Sequence, residues 1–320
     1  MRTSLIAAVD LGGTMTKIAF INMHGDIVVS WQVPTDVSDH GKRIITNIAQ
    51  EIKKKLLELS ISKDQLLGVG VGAPGPFSET GVMYTAVNLG WENDYPLKAL
   101  LEQELGLPVR VENDANCAAL GEMWKGAGGG AKNLVCVTLG TGVGGGVIAN
   151  GQIVRGAYGA AGEIGHMTVM TENGFICNCE KSGCLETVAS ATGVVRLASQ
   201  QLEATSKASL LRTKQSFSAK DVFEAAKMGD EIATFAVDRC SSYLGLALSH
   251  LGNTLNPDVI VIGGGVSKAG EPLLQAVRRK FNEFAFTPVR NSTRIDLATL
   301  GNEAGVIGAA WLIKQNNDLV

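Results

Sequence analysis

One pattern, used twice, restricts the folds open to this chain more than any other feature. In the first copy, residues 5–9 form a short apolar run that Asp10 closes, and Gly12-Gly13-Thr14 turn the chain back. Strand-like segments follow at residues 17–22 and 27–32, separated by the turn residues His24-Gly25-Asp26. In the second copy, residues 135–139 repeat the apolar run and residues 140–146, GTGVGGG, repeat the turn. Val147-Ile148 then make a second strand, and Asn150-Gly151, a strong hairpin signal, leads into a third that starts at residues 152–155. VDLGGT…GDIV in the first half thus parallels VTLGTG…GQIV in the second. This self-similarity predicts an internal duplication: two α/β domains, each opening with a strand meander and a glycine turn. Two such turns facing one another would border a cleft between the domains, where ligands preferentially bind.

The rest of the chain alternates between helix and strand patterns. Ile44, Ile45, Ile48, Ile52, Leu56 and Leu59 recur at helical spacing over residues 42–59, with Lys53-Lys54-Lys55 as the solvated face. Residues 67–72 read as a buried strand running into Ala73-Pro74-Gly75-Pro76, and residues 109–111 as a strand ending in Glu112-Asn113-Asp114. Helices are predicted over 96–105, 115–124, 187–202, 231–255, 272–284 and 302–315, with Ser218 capping another through Asp221. A strand at 258–262 leads into Gly263-Gly264-Gly265, and the last strand covers 295–300. The expected domains are residues 1–115 plus 303–320 and residues 116–302, sharing a substantial interface because no low-complexity linker separates them.

Composition narrows the functions. The chain has 320 residues and a formal charge of -3, and only 5% of it is aromatic. That balance disfavours nucleic acid, which needs basic surface and stacking rings. No apolar run approaches the roughly 20 residues of a membrane span. The opening MRTSLIAAVDLGGT is too short and too glycine-interrupted for a leader, so the expected location is the cytoplasm. Six cysteines there are thiols or metal ligands rather than disulfides. Cys117, Cys136 and Cys240 lie in apolar segments and read as core.

Four groups of residues carry chemistry. The first turn offers backbone N–H groups, the Thr14 and Thr16 hydroxyls and the Lys17 ammonium, which suit phosphate oxygens, while Asp10 suits a magnesium ion. The same residues would also make an ordinary glycine hairpin. Asp114 stands at a strand end before a helix, where a carboxylate can accept a proton from an alcohol or simply cap the helix. Glu163 and His166 follow a run of small residues and suit sugar hydroxyls. Cys177, Cys179 and Cys184, joined by His166, form a donor set suited to tetrahedral zinc, closed and therefore structural. Three unrelated thiols near a core histidine are the plainer alternative.

These motifs together resemble the ROK family of sugar kinases, over nearly the full length. The resemblance rests on DLGGT with Lys17, GVGAPGP at 70–76, END at 112–114, LGTGVGGG at 139–146, GAAGEIGHM at 159–167, the cysteine cluster ending in Cys184-Leu185-Glu186, and IGGG at 262–265. It implies a duplicated actin-like (ribonuclease-H-like) ATPase fold with ATP, Mg²⁺ and a hexose, glucose first, in the interdomain cleft. It implies Asp114 as general base for the sugar 6-hydroxyl, and Asn113, Asp114, Glu163, His166 and Glu186 as sugar ligands with Gly75 close by. Gly12, Gly13, Thr14, Lys17, Thr141 and Gly142 would attend the phosphates, Gly264 and Gly265 the adenosine, and His166, Cys177, Cys179 and Cys184 a zinc ion. A homodimer is the family expectation. Repressors of the family carry a DNA-binding domain before the first glycine turn, and with Asp10 as the tenth residue the expectation is a kinase rather than a repressor. An actin-type ATPase would turn over ATP without sugar. One departure stands out: Glu180 follows the second cysteine where the family usually has glycine, which predicts an altered loop geometry with the ligands retained.

Overall fold

The apolar runs become the centres of two sheets. A computed structural model describes residues 4–86 and 88–317. Of the opening segment read against a leader, residues 1–3 lie outside the described residues. The chain forms two compact units, one of Met1–Gly130, Ile153–Ala161 and Asn302–Val320, the other of Ala131–Gln152 and Gly162–Gly301.

In the first unit, β1 (Leu5–Leu11), β2 (Met15–Asn22) and β3 (Ile27–Pro34) make the expected antiparallel meander. β3 alternates partly buried and exposed residues, as an edge strand with one covered face must, and Pro34 ends it. Helix α1 (Ile44–Glu58) buries Ile44, Ile45, Ile48, Ile52 and Leu56, the predicted stripe. Lys53 and Lys54 face solvent, but Lys55 lies 5.2 Å above the Trp31 ring and pairs with Glu58. β4 (Leu66–Ala73) then pairs parallel to β1, and after α2 (Leu97–Leu105) comes β5 (Val109–Asn113), parallel to β4. Among the described residues the strand order is β3-β2-β1-β4-β5. α3 (Asp114–Lys125) follows β5 without a break.

The second unit repeats this plan. β6 (Leu134–Leu139), β7 (Val143–Ala149) and β8 (Gln152–Ile153) form the second meander, with β8 shorter than expected because the chain leaves the sheet after Ile153. The predicted helix over 187–202 is two helices, α4 (Glu186–Ala189) and α5 (Ala191–Ala204). Ser190 is extended between them and caps the second by accepting a bond from Gly193 N at 3.0 Å. α6 (Ala219–Lys227) starts at the expected Ser218–Asp221 capping box. α7 (Glu231–Leu255) spans the predicted residues. β9 (Val259–Gly263) is wholly buried, and α8 (Glu271–Phe284) and a short α9 (Thr287–Ser292) lead to β10 (Arg294–Leu297). The sequence pattern missed α9, whose six residues are too few to show a period.

The order β8-β7-β6-β9-β10 is that of the first sheet, and the antiparallel β6–β7 pair and the parallel β6–β9 and β9–β10 pairs match their counterparts. The duplication is therefore one of topology as well as sequence.

The chain ends in the first unit with α10 (Ala304–Asn317), which packs on α3 and β4. This contact is backbone to backbone: a Cβ on Gly308 would fall 1.7 Å from the Cys117 carbonyl oxygen, and one on Gly70 would fall 1.8 Å from that of Ala309. Cys117, Cys136 and Cys240 are all buried. Among the described residues no helix is long and apolar enough to cross a membrane.

Candidate active site and metal centre

In the first unit the candidate side chains sit where β1 and β5 end. Asn113, not Asp114, caps α3: its Oδ1 accepts bonds from Ala115 N at 2.9 Å and Asn116 N at 3.1 Å. Asp114 is thereby released from the role that a strand-end carboxylate most often fills. It lies in the helix's first turn and accepts from Ala115 N at 2.8 Å. Its carboxyl tip is open to solvent yet recessed among protein, and this burial raises its pKa, against the bonds from Ala115, from its own N–H and from Asn113. Asp10 is pushed further, to about 6, by burial and by the Asp114 charge, with Lys17 opposing. The first turn of α10 abuts it, since a Cβ on Gly305 would come 2.5 Å from Asp10 Oδ2. Lys17, the register partner of Asp10 across β1 and β2, donates to Asn302 O at 3.0 Å and Glu303 Oε1 at 2.5 Å.

The first glycine turn is fastened by Thr35. Its hydroxyl donates to Gly12 O at 2.7 Å and its N–H to Thr14 O at 2.9 Å. Thr16 is buried, with its hydroxyl 2.9 Å from that of Thr35, so it is turned into the fold and away from the loop surface. Thr14 stays exposed. Gly13 faces Asn88, whose carbonyl oxygen would lie 3.0 Å from an added Cβ. Gly75 has φ 128, and its carbonyl oxygen is 3.4 Å from Asn113 Nδ2. Six of the expected residues, Asp10, Gly12, Gly13, Thr14, Lys17 and Gly75, thus lie in the same unit as the Asn113–Asp114 pair.

In the second unit the glycine turn between β6 and β7 is held from α4 and α5. Ala191 N donates to Gly140 O at 2.8 Å and Thr192 Oγ1 to Thr141 O at 3.0 Å. Glu186 Oε2 accepts from Val143 N at 2.9 Å and sits where any side chain on Gly142 would have to go. The other oxygen of Glu186 is 3.8 Å from Cys177 Sγ, so one carboxylate bridges the turn and the thiol cluster. A cavity of about 470 Å³ is lined by Thr141, Gly142, Cys177, Glu186, Thr192 and Arg196. A second, of about 570 Å³, adjoins Ala191 and is lined by Ser218, Phe223, Gly265, Val266 and Ala269. Gly264, at φ 85, packs on the end of β6, 2.5 Å from Leu139 O as measured to an added Cβ.

His166, Cys177, Cys179 and Cys184 converge, with all four donor atoms within 4.8 Å of one another. His166 Nδ1 is 3.6 Å from Cys177 Sγ, and Cys179 Sγ is 3.6 Å from Cys184 Sγ. A tetrahedral zinc with bonds of about 2.3 Å to sulfur holds its thiolates about 3.8 Å apart, so the donor set fits such an ion. The opposite nitrogen, His166 Nε2, points to Glu163 Oε2 at 3.9 Å, leaving that edge of the ring turned toward an exposed carboxylate. Glu180 takes φ 68, the left-handed conformation natural to glycine. The backbone at Glu180 thus takes a conformation that a residue with a Cβ resists.

Several supporting residues escaped the sequence reading. Thr35 ties the first turn, Glu303 engages Lys17, and Arg155 engages Glu112. Each partner is distant in sequence, and no local pattern announces it.

The ROK family model matches residues 6–316 of the chain. A protein of Halalkalibacterium halodurans described as a glucokinase is 52% identical over 97% of this chain and 95% of its own. A Listeria monocytogenes protein described as a beta-glucoside kinase is 30% identical over 98% of each chain. The crystal structure of a ROK family glucokinase from Streptomyces griseus, in complex with glucose and AMPPNP, superposes with a TM-score of 0.77 at 35% identity, over 98% of this chain and 100% of that one. The chain belongs to the ROK family, among its ATP-dependent sugar kinases related to glucokinases.

Proposed function

We propose that the kinase acts on glucose, transferring the γ-phosphoryl group of ATP to the 6-hydroxyl to give glucose 6-phosphate and ADP. The observation that carries this reading is the 52% identity, over nearly all of both chains, to a relative described as a glucokinase. Asp114 accepts the proton of the 6-hydroxyl as the oxygen bonds to the γ-phosphorus and the bond to the β-phosphate oxygen breaks. Burial raises its pKa, which makes it a better proton acceptor than a solvent-exposed carboxylate. Asn113 and Asp114, with Gly75, and Glu163, His166 and Glu186 hold the sugar. The turns at Gly12-Gly13-Thr14 and Thr141-Gly142 present N–H groups to the phosphates, and Lys17 adds charge once it leaves Glu303. The cavity beside Gly264 and Gly265 takes the adenosine; its lining is mainly apolar, as a base requires. Asp10 would hold Mg²⁺, which supplies electrostatic stabilisation of the transferring phosphoryl group when bound. The His166-Cys177-Cys179-Cys184 set would hold a structural zinc, since four protein donors leave no open position.

A second reading keeps the chemistry and changes the acceptor to another hexose or a glucoside, and the beta-glucoside kinase among the relatives favours it. An ADP-release assay across glucose, fructose, mannose, N-acetylmannosamine, allose and a β-glucoside separates the two. Glucose is expected to give the highest kcat/KM. A tenfold or greater preference for any other acceptor overturns the assignment, and ATP turnover unaffected by every sugar overturns the kinase chemistry itself.

A further inference from the structure

One segment of the chain is tied to the end of β5, the strand that leads into Asp114, by a pair of residues that the reaction does not consume. Residues Ile153–Ala161 pack with the first unit, although the chain on either side of them belongs to the second. Two contacts hold the segment there. Gly159, at φ 68, lies against the Phe77 backbone, where a Cβ would approach Phe77 O to 2.4 Å. Arg155 Nε donates to Glu112 Oε2 at 2.6 Å, and Ala161 N closes the segment on Arg155 O at 3.0 Å.

Glu112 is 2% exposed, so its charge is removed from water and requires partners. Arg155 engages one oxygen. The other, Oε1, accepts from Asn113 N at 3.0 Å and Asn116 Nδ2 at 2.9 Å. The carboxylate therefore grips the backbone of the residue that caps α3 and a buried side chain one turn along the same helix. Asp114 stands between those two points. Its direction is set by the cap at Asn113, and the cap's backbone is set by Glu112.

We propose that Arg155 is a positioning residue for phosphoryl transfer: by fixing Glu112 it holds Asn113, and through it Asp114, in the orientation that accepts the hydroxyl proton. The inference rests on the reading of Asp114 as the base. A guanidinium suits this task better than an ammonium, because its planar N–H groups fix the direction of the carboxylate as well as its charge. Without Arg155, Glu112 is free to turn toward solvent, and Asn113 N loses an aligned acceptor. A small misplacement of a base is costly in rate, so the effect falls on kcat. The bonds of Arg155 and Glu112 run to Asn113, Asn116 and Ala161, which are not among the residues assigned to the nucleotide, so KM for ATP is left alone.

The test compares Arg155→Met, Arg155→Lys and the double variant Arg155→Met/Glu112→Gln with the unaltered enzyme, with Asp114→Asn measured alongside. Arg155→Met is expected to lower kcat by about tenfold or more. KM for ATP should stay within about twofold, with kcat assayed at a temperature where circular dichroism shows the fold intact. Arg155→Lys should recover part of kcat. The double variant, which no longer buries an unpaired charge, should regain thermal stability while kcat stays low. If Arg155→Met keeps kcat within about twofold, or if kcat and stability return together in the double variant, Arg155 only balances a buried charge and the inference fails. Should Arg155→Met not yield folded protein, a kcat loss in Arg155→Lys at unchanged Tm supports the inference, and full activity there overturns it. An inactive Asp114→Asn beside a fully active Arg155→Met sinks only the positioning role, whereas an active Asp114→Asn sinks the base as well.

Discussion

The two glycine turns share a topology and a tie from a threonine hydroxyl and a backbone N–H, and differ in the ionisable groups beside them. Around the turn at residues 12–14 the neighbours are ionisable: Asp10 on the strand before it, Lys17 on the strand after it, Glu303 against that lysine, and Asp114 near enough to raise the pKa of Asp10. Around the turn at residues 140–142 the neighbours are backbone and hydroxyl groups from α5 and one carboxylate, Glu186, which continues to Cys177. Duplication copied a backbone that can cradle anions and left each copy free to acquire different side chains. The first copy gathered groups that can change protonation, while the second gathered a fixed scaffold. On the proposed function, proton transfer would fall to the first unit, and grip and rigidity to the second.

The largest expected effect tests that division directly. Asp114→Asn should lower kcat by about 10²- to 10⁴-fold, the usual worth of a positioned base, while hexose affinity changes little. Glu186→Gln, the matching loss of charge at the second turn, should raise KM for sugar and ATP with a much smaller change in kcat. Steady-state kinetics with both substrates varied checks the pair. Equal kcat losses in the two variants would break the comparison.

Next in size is the thiol cluster. Cys179→Ser removes one donor of the set and should release the metal, measurable as zinc per chain by atomic absorption. Because binding energy of a closed site is folding energy, the apparent Tm should fall by on the order of 10 °C. Glu186 lies against Cys177 and the Val143 N–H together, and His166 lies beside Glu163, so affinity for sugar and nucleotide should weaken before kcat does. A metal-free form with normal affinity for both substrates would show that the cluster does not support the site.

What the sequence disclosed follows the range of the interactions involved. The two turns, the capping box at Ser218, the buried face of α1 and the convergence of Cys177, Cys179 and Cys184 are local in sequence, and each left a pattern. The partners of Lys17 and Glu112 did not, because Glu303 lies 286 residues from Lys17, and Arg155 43 residues from Glu112. The capping question at Asp114 was open for a related reason. Asn113 and Asp114 are both good caps, and only the backbone angle at Asn113 decides between them. The break at Ser190 between α4 and α5 was hidden by helix-compatible neighbours on both sides.

A smaller effect distinguishes the first turn by pH. Asp10 titrates at about 6 in the folded chain, against 3.8 as the reference value. Between those values the folded chain binds more protons than the unfolded one. Its stability therefore falls as pH rises through the window, by up to about 3 kcal/mol less whatever solvent screens. Asp10→Asn removes the titration, so the stability gap between variant and unaltered enzyme should shift in the variant's favour from pH 4 to pH 6. Urea unfolding at steps across that range measures it. A gap that does not change with pH would mean that the first turn does not hold its carboxyl in a charge-averse setting.

The smallest effect concerns the scaffold side of the comparison, at Glu180. Its N–H donates to Cys177 O at 2.9 Å, closing the turn that presents two of the cluster's thiols, and its φ of 68 is one that a side chain resists. Holding a residue with a Cβ there costs about 1–2 kcal/mol, whereas glycine adopts the angle freely. Glycine also has more to lose from the unfolded chain, by roughly 0.5–1 kcal/mol, so Glu180→Gly should stabilise the fold by no more than about 1 kcal/mol. Glu180→Ala separates the causes, since it removes the charge and keeps the Cβ. Thermal unfolding of the two variants should show a rise of a few degrees for glycine and none for alanine, with zinc content unchanged in both. An equal rise in both would assign the cost to the carboxylate crowding its neighbours, and the turn would then be relaxed as it stands. A rise for glycine alone would show that this chain carries backbone strain beside its His166-Cys177-Cys179-Cys184 cluster, in the unit that holds the second glycine turn.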